Sequence, residues 1–429
     1  MVRSCDERRP ECSQCRRVRK PCPGVYGGLF MVNAAALPDH APLQRIPVEP
    51  SCQPLYEQAL VSTFIASFSI SDSHSVQPDS WTQYLSTWAS SPKALGWSIR
   101  ATTLAFYAQV SQETAIYQEA SRCYAHALRG QSVSVNQCLE GFGGQITVPS
   151  KVPTEEDIYA SLMLMYYELI SPASIGSWIT HLRGTAQLLL LRGPQNCQTG
   201  AIHLVFRSVR LLLAQASITI QEQSCFASPT WCDMPFALSK KTALDILLDA
   251  MHEVIELLRL GQIERCGDKE RLHPLISRLE SLAQTVTKSE SVYLHEFHAS
   301  YSTQTIASNC LAFQLIEVER LDDGMWLGGG DFRSAIPAVM FHTIRILMDH
   351  LRRQTTDEDY FAEESTTRCS VLLQFAHGLF QRDLLGKLNE GSCMQLVFPL
   401  EVVRRYSLCE TQKVQARIYL DRLGWKEEP

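Results

Sequence analysis

Apolar residues along most of this chain recur three, four and seven positions apart, the period of helices that bury one face. Ile175, Trp178, Ile179, Leu182, Ala186, Leu189 and Leu190 keep that rhythm up to Gly193-Pro194, where a left-handed cap and a missing N–H end a helix. Leu244, Leu247, Leu248, Met251, Val254, Ile255 and Leu258 repeat it and are expected to stop at Gly261. Pro153-Thr154-Glu155-Glu156-Asp157 offers a capping hydroxyl and first-turn acids, leading into Ile158, Leu162, Met165 and Leu169 on one face. Tyr159, Met163 and Tyr166 lie elsewhere around that axis, so this helix is apolar on most sides and belongs at the centre of the fold. Further helices are expected over roughly 93–110, 113–128, 201–217, 291–321, 332–353, 366–386 and 398–424. No fixed repeat length emerges, which argues against a regular solenoid. The fold class is therefore all-α, a large irregular helical domain.

The pattern fails over the first 52 residues. Pro23-Gly24, Gly27-Gly28, Pro38, Pro42, Pro47 and Pro50 mark a linker. The expected organisation is a small module at 1–22, a linker at 23–52 and the helical domain at 53–429. With 45% hydrophobic and 20% charged residues, a chain of 429 residues has ample material for a core, and wholesale disorder is excluded. No run reaches the roughly 18 consecutive apolar residues of a membrane helix, so no membrane partner is expected. The start, Met1 to Arg9, carries no apolar signal core, and a reducing compartment is expected, with thiols or metal thiolates in place of disulfides.

Fifteen cysteines make their placement informative. Eleven are scattered singly (Cys52, Cys123, Cys138, Cys197, Cys225, Cys232, Cys266, Cys310, Cys369, Cys393, Cys409), mostly within apolar helical stretches, and read as small core residues. Cys5, Cys12, Cys15 and Cys22 instead crowd the first 22 residues, with Cys12 and Cys15 forming a C-x2-C pair whose two thiolates can converge on one metal ion. Arg3, Arg8, Arg9, Arg16, Arg17, Arg19 and Lys20 stand among them against three acids, a net +4 in a chain whose total is −6. Such cations lower thiol pKa values and face outward to phosphate. So short a segment has no apolar core, and metal ligation would supply its folding free energy.

The run Cys5-Asp6-Glu7-Arg8-Arg9-Pro10-Glu11-Cys12-Ser13-Gln14-Cys15-Arg16-Arg17-Val18-Arg19-Lys20-Pro21-Cys22-Pro23-Gly24 resembles the second half of the fungal binuclear zinc cluster, the six-cysteine DNA-binding domain of fungal transcription factors. The resemblance implies zinc as cofactor, with Cys5, Cys12, Cys15 and Cys22 as the third to sixth ligands and Cys12 bridging. It implies double-stranded DNA as partner, with Arg8, Arg9, Arg16, Arg17, Arg19 and Lys20 as candidate phosphate contacts. The family's first two cysteines and base-reading helix belong upstream of Cys5, where this sequence has Met1 to Ser4. Either the start lies too far downstream, or the protein no longer binds DNA specifically and acts as a helical co-regulator. Four thiolates remain enough for one mononuclear zinc.

The segments WITHLRGTAQLLLLRG, EEDIYASLMLMYYELI and FPLEVVRRYSLCETQKVQARIYLDRLGW, with Tyr117 to Arg129, resemble the helical regulatory domain that follows the cluster in many fungal regulators, over roughly 55–425. That implies a nuclear regulator of a metabolic pathway, often a secondary-metabolite gene cluster, working with other transcription proteins and carrying no catalytic residue. Oligomeric state stays open, since 23–50 shows no sustained heptads. Other motifs read as structure. His295 and His298 are spaced three apart, not the four of a metalloprotease; Gly328-Gly329-Gly330-Asp331 lacks a P-loop Lys-Ser/Thr; and Arg352-Arg353 suits a helix C-terminus.

Overall fold

The computed structural model describes residues 53–68, 80–139, 152–171, 176–220, 222–263, 269–301, 336–356, 360–383 and 390–423. The chain there is all-α, with no strand among the described residues. The first half comprises α1 (Gln53–Phe68), a 3-10 turn (Trp81–Tyr84) running into the one-turn α2 (Leu85–Trp88), α3 (Ala94–Ser111), α4 (Thr114–Leu139), α5 (Glu155–Ile170) and α6 (Ser177–Arg192). After α7 (Gly200–Ile220) and the short α8 (Pro229–Asp233) come α9 (Ala243–Ile263), α10 (Lys269–Tyr301), α11 (Ile336–Thr356), α12 (Tyr360–Asp383), α13 (Glu390–Tyr406) and α14 (Glu410–Arg422).

Among the described residues two large apolar cores form, with a small third cluster of Ala101, Ala105, Ala120, Cys123 and Tyr167. In the first, α3 lies between α4 and α5, α5 also packs on α6, and α1 covers α3. The expectation for α5 holds: Ile158, Tyr159, Leu162, Met163, Leu164 and Met165 are all fully buried, whichever side of the axis they occupy. Its cap is reciprocal, the Thr154 Oγ1 accepting from Asp157 N at 3.3 Å while Asp157 Oδ2 accepts from Thr154 N at 2.8 Å. In the second core, α9 packs on α10 and α11, and α11 on α12 and α13, with α14 against α13. Leu247, Met251, Val254, Ile344, Leu347, Phe375 and Val403 fill it, each such side chain contributing about 1.5–3 kcal/mol of burial.

Helix α7 belongs to both. Ile202, Val205, Phe206, Val209 and Leu213 enter the first core; Leu211, Ala214 and Ile218 enter the second. By length and composition the stretch Gly200–Ile218 is apolar enough to cross a membrane, yet 78% of it is buried inside the fold, so its apolarity is accounted for by walls on two sides.

Boundaries depart from expectation in four places. α9 runs past Gly261 to Ile263: a glycine weakens a helix by about 1 kcal/mol but ends one only when the backbone turns left-handed. At Gly193 it does leave the helix, with φ +85°, and α6 stops there as expected. α4 continues past residue 128 to Leu139, and α10 starts at Lys269, well before 291, with Pro274 near its first turn. The stretch 398–424 is two helices, because the Ser407 Oγ accepts from Cys409 N at 3.1 Å and offers the backbone a local turn in place of the next helical bond.

Candidate functional site

Cys5, Cys12, Cys15 and Cys22, together with Arg8, Arg9, Arg16, Arg17, Arg19 and Lys20, lie outside the described residues, as do the linker and the Gly328–Asp331 motif. Among the described residues no group of three or more His, Cys, Asp or Glu could hold a metal ion. Of the scattered cysteines, Cys123, Cys197 and Cys369 are buried as expected, and burial pushes their thiols up to about 11, 12 and 12. Cys225 is exposed, and Cys232 and Cys409 are half-buried. His295 is exposed on α10. Arg352 pairs with Asp349 at 3.5 Å and lies 5.0 Å from the Phe361 ring, so it has partners within the fold.

The chemistry the described residues do assemble is a charged seam between α7 and α9. Arg207 grips Asp245 with two bonds, Nε at 3.1 Å and Nη2 at 2.9 Å. One turn on, Arg210, with a side chain wholly removed from solvent, pairs with Asp249 and donates to the Asp245 carbonyl at 3.3 Å. Lys241 reaches Asp249 at 2.8 Å and Asp233 at 2.9 Å, and both Arg210 and Lys241 lie 5.5 Å from the Phe236 ring. His252 continues the stripe. It is 4% exposed, and burial followed by the Arg210 charge lowers its pKa to about 3, so it is neutral. The two-point grip of Arg207 on Asp245 exploits the guanidinium plane in a way lysine would not.

A second polar cluster ties α4, α5 and α6. Glu168, 2% exposed, accepts from Tyr124 Oη and from Ser177 Oγ at 2.5 Å. With the Tyr124 proton so committed, the 3.1 Å contact to His181 assigns the donor there to the imidazole Nε2–H. Burial lowers the His181 pKa, the Glu168 charge opposing it. Ser177 gives its proton to the carboxylate, so Tyr124, Glu168, Ser177 and His181 together brace the three helices. In the second core, Glu401 accepts from Arg404 and Arg405; burial opposes its ionisation, but the two guanidiniums prevail and hold its pKa below the usual range.

None of these charges was singled out from the sequence. The available signal is register: Arg210 stands four residues from both Phe206 and Ala214, each fully buried, so a charge occupies a core position. Thr242 and Asp245 likewise repeat the Thr154–Asp157 cap, with Thr242 N donating to Asp245 Oδ2 at 2.9 Å.

The helical body matches the family model described as fungal specific transcription factor domain over residues 61–318. That match takes in more than half of the chain. The chain belongs to this family. The fungal specific transcription factor domain thus begins within α1, includes the shared helix α7 and the seam, and extends beyond α10. An uncharacterized protein of Emericella nidulans, AN5342, is 24% identical over 159 residues, 36% of this chain. The aligned part is 31% of that relative, so the chain spans less than a third of its length. No solved structure matches.

Proposed function

We infer from its membership of the family that this chain is a fungal transcription regulator. We propose that it acts in the nucleus on a metabolic pathway, a secondary-metabolite gene cluster being the case the resemblance favours, and that residues 1–22 form a zinc-held DNA-contacting module joined by a linker at 23–52 to the helical domain at 53–429. The observation that carries this reading is the coincidence, in one chain, of the family's helical domain with a C-x6-C-x2-C-x6-C run set among seven cations.

The donor set fits zinc. Four thiols are the complement of a closed tetrahedral structural site, and the C-x2-C pair supplies two of them from one short turn. Bound zinc would supply the folding free energy that so short a segment lacks. The chain's own part is then to aim Arg8, Arg9, Arg16, Arg17, Arg19 and Lys20 at phosphate. These contacts position without reading bases, so the chain as given is expected to bind duplex DNA with little sequence preference. The helical body supplies the surface for other transcription proteins.

Zinc content and salt dependence test this together. Purified chain is expected to carry one zinc ion, and its affinity for a duplex to fall with log salt at a slope of up to about −5, the value for six neutralised phosphates. Cys12→Ala or Cys15→Ala should abolish both while shifting the melting temperature of the body by no more than a degree or two, since a linker separates them. Metal-free protein with no duplex affinity would overturn the proposal and leave a helical co-regulator that works without DNA.

A further inference from the structure

A cleft of about 640 Å³ opens between α1, the end of α3 and the start of α4, within the range of small-molecule pockets. Leu60, Leu104 and Ile116 are among its apolar walls. Two tyrosines line it while staying exposed, Tyr56 at 72% and Tyr107 at 42%. An exposed aromatic face beside an apolar cleft is available to a cation.

The charges of the cleft fix the sign of its ligand. Arg100 and Glu57 both line the cleft and neutralise each other, Nη1 lying 3.1 Å from Oε1, with the guanidinium 5.9 Å from the Trp97 ring. Glu113 is an exposed lining residue, and among the described residues no cation lies within ion-pair distance of it. Its place is fixed by the backbone. Gln112 turns left-handed with φ +58°, and the Glu113 carbonyl accepts from Ile116 N and Tyr117 N at 3.2 and 3.3 Å. The cleft therefore joins an apolar bed to the Glu113 carboxylate and two exposed tyrosines in one lining.

We propose that this cleft binds a hydrophobic monocation, an organic amine or quaternary ammonium with an aliphatic or aromatic body, its charge held by Glu113 and Tyr107 and its body between Leu60, Leu104 and Ile116. The inference rests on the cleft alone and is independent of zinc or DNA binding.

Titration calorimetry of the full chain with octyltrimethylammonium, kept below its micelle concentration, tests it against octanol and octyl sulfate, which share the tail but not the charge. Saturable one-to-one binding is expected, about tenfold tighter for the ammonium than for either analogue. Glu113→Gln and Tyr107→Ala, both at exposed positions that leave the fold intact, should each weaken it severalfold and narrow the preference over octanol. Equal affinity for the three headgroups, unsaturable uptake, or wild-type binding in both variants would overturn the proposal. So would concentration-dependent self-association abolished by Tyr107→Ala without amine binding, which would give the cleft to a second copy of the chain.

Discussion

Arg210 and Asp249 pair across the seam, yet their environments differ enough that removing one should cost far more than removing the other. Arg210 is wholly buried, and without Asp249 its charge keeps only the Asp245 carbonyl at 3.3 Å and the Phe236 ring. Asp249→Ala therefore strands a buried cation, a loss of about 3–5 kcal/mol. Arg210→Met keeps most of the apolar stem, and Asp249, 27% exposed, still holds Lys241 at 2.8 Å, so that variant should lose only about 1–2 kcal/mol. The double variant Arg210→Met/Asp249→Ala carries no stranded charge and should be more stable than Asp249→Ala alone by about 2 kcal/mol, a coupling a double-mutant cycle reads directly. Urea unfolding followed by far-UV circular dichroism gives the midpoints, and the slopes show whether the transition stays cooperative. If Asp249→Ala unfolded within about 1 kcal/mol of the wild type, or the double variant were as weak as Asp249→Ala, the stranded-charge reasoning would be wrong.

Two further outcomes follow from the packing of His252 and of two glycines. His252 binds its proton more weakly folded, near pH 3, than unfolded, near 6.5, so the unfolded state gains protons first as pH falls; stability drops by about 2 kcal/mol between pH 7 and 5, and urea midpoints of His252→Leu should lack that share of the slope, an unchanged slope counting against it. A Cβ at Gly96 would sit 1.8 Å from the Ser91 carbonyl oxygen, whereas one at Gly184 meets nothing closer than Ser161 Oγ at 3.7 Å. Gly96→Ala is thus expected to destabilise by about 3 kcal/mol or more, and Gly184→Ala, inside α6, to stabilise by about 0.5–1 kcal/mol, with thermal melts ordering them; the reverse order would show that the turn before α3 yields freely.

The helices were legible where one physical signal dominated. Thr154 caps α5 because its hydroxyl and Asp157 answer each other's backbone, and Gly193 ends α6 because the chain needs a positive φ there; both signals are local and sit in adjacent residues. Gly261 misled because glycine permits a left-handed turn without requiring one, and the break at Ser407 went unread because serine's competition with the helix shows only once its hydroxyl has met Cys409 N. The seam was legible only in part, through the buried register of Arg210 and the cap at Thr242, because its pairings are not local. Arg207 and Asp245 are separated by 38 residues, and nothing near either names the other as its partner. The cleft has the same character, since Tyr107 and Glu113 are neighbours in sequence but Leu60 arrives from another helix.

Helices α9 and α10 show where this molecule cannot be divided. The stretch that defines the family stops at residue 318, yet α9 and α10, which lie inside it, bury their faces against α11, which lies beyond. A boundary of ancestry is thus not a boundary of folding. A fragment trimmed to the family segment would lay the inner sides of Met251 and Val254 open to solvent and invite aggregation, while α1, which leans on α13, would lose a support contributed from the opposite end of the polypeptide.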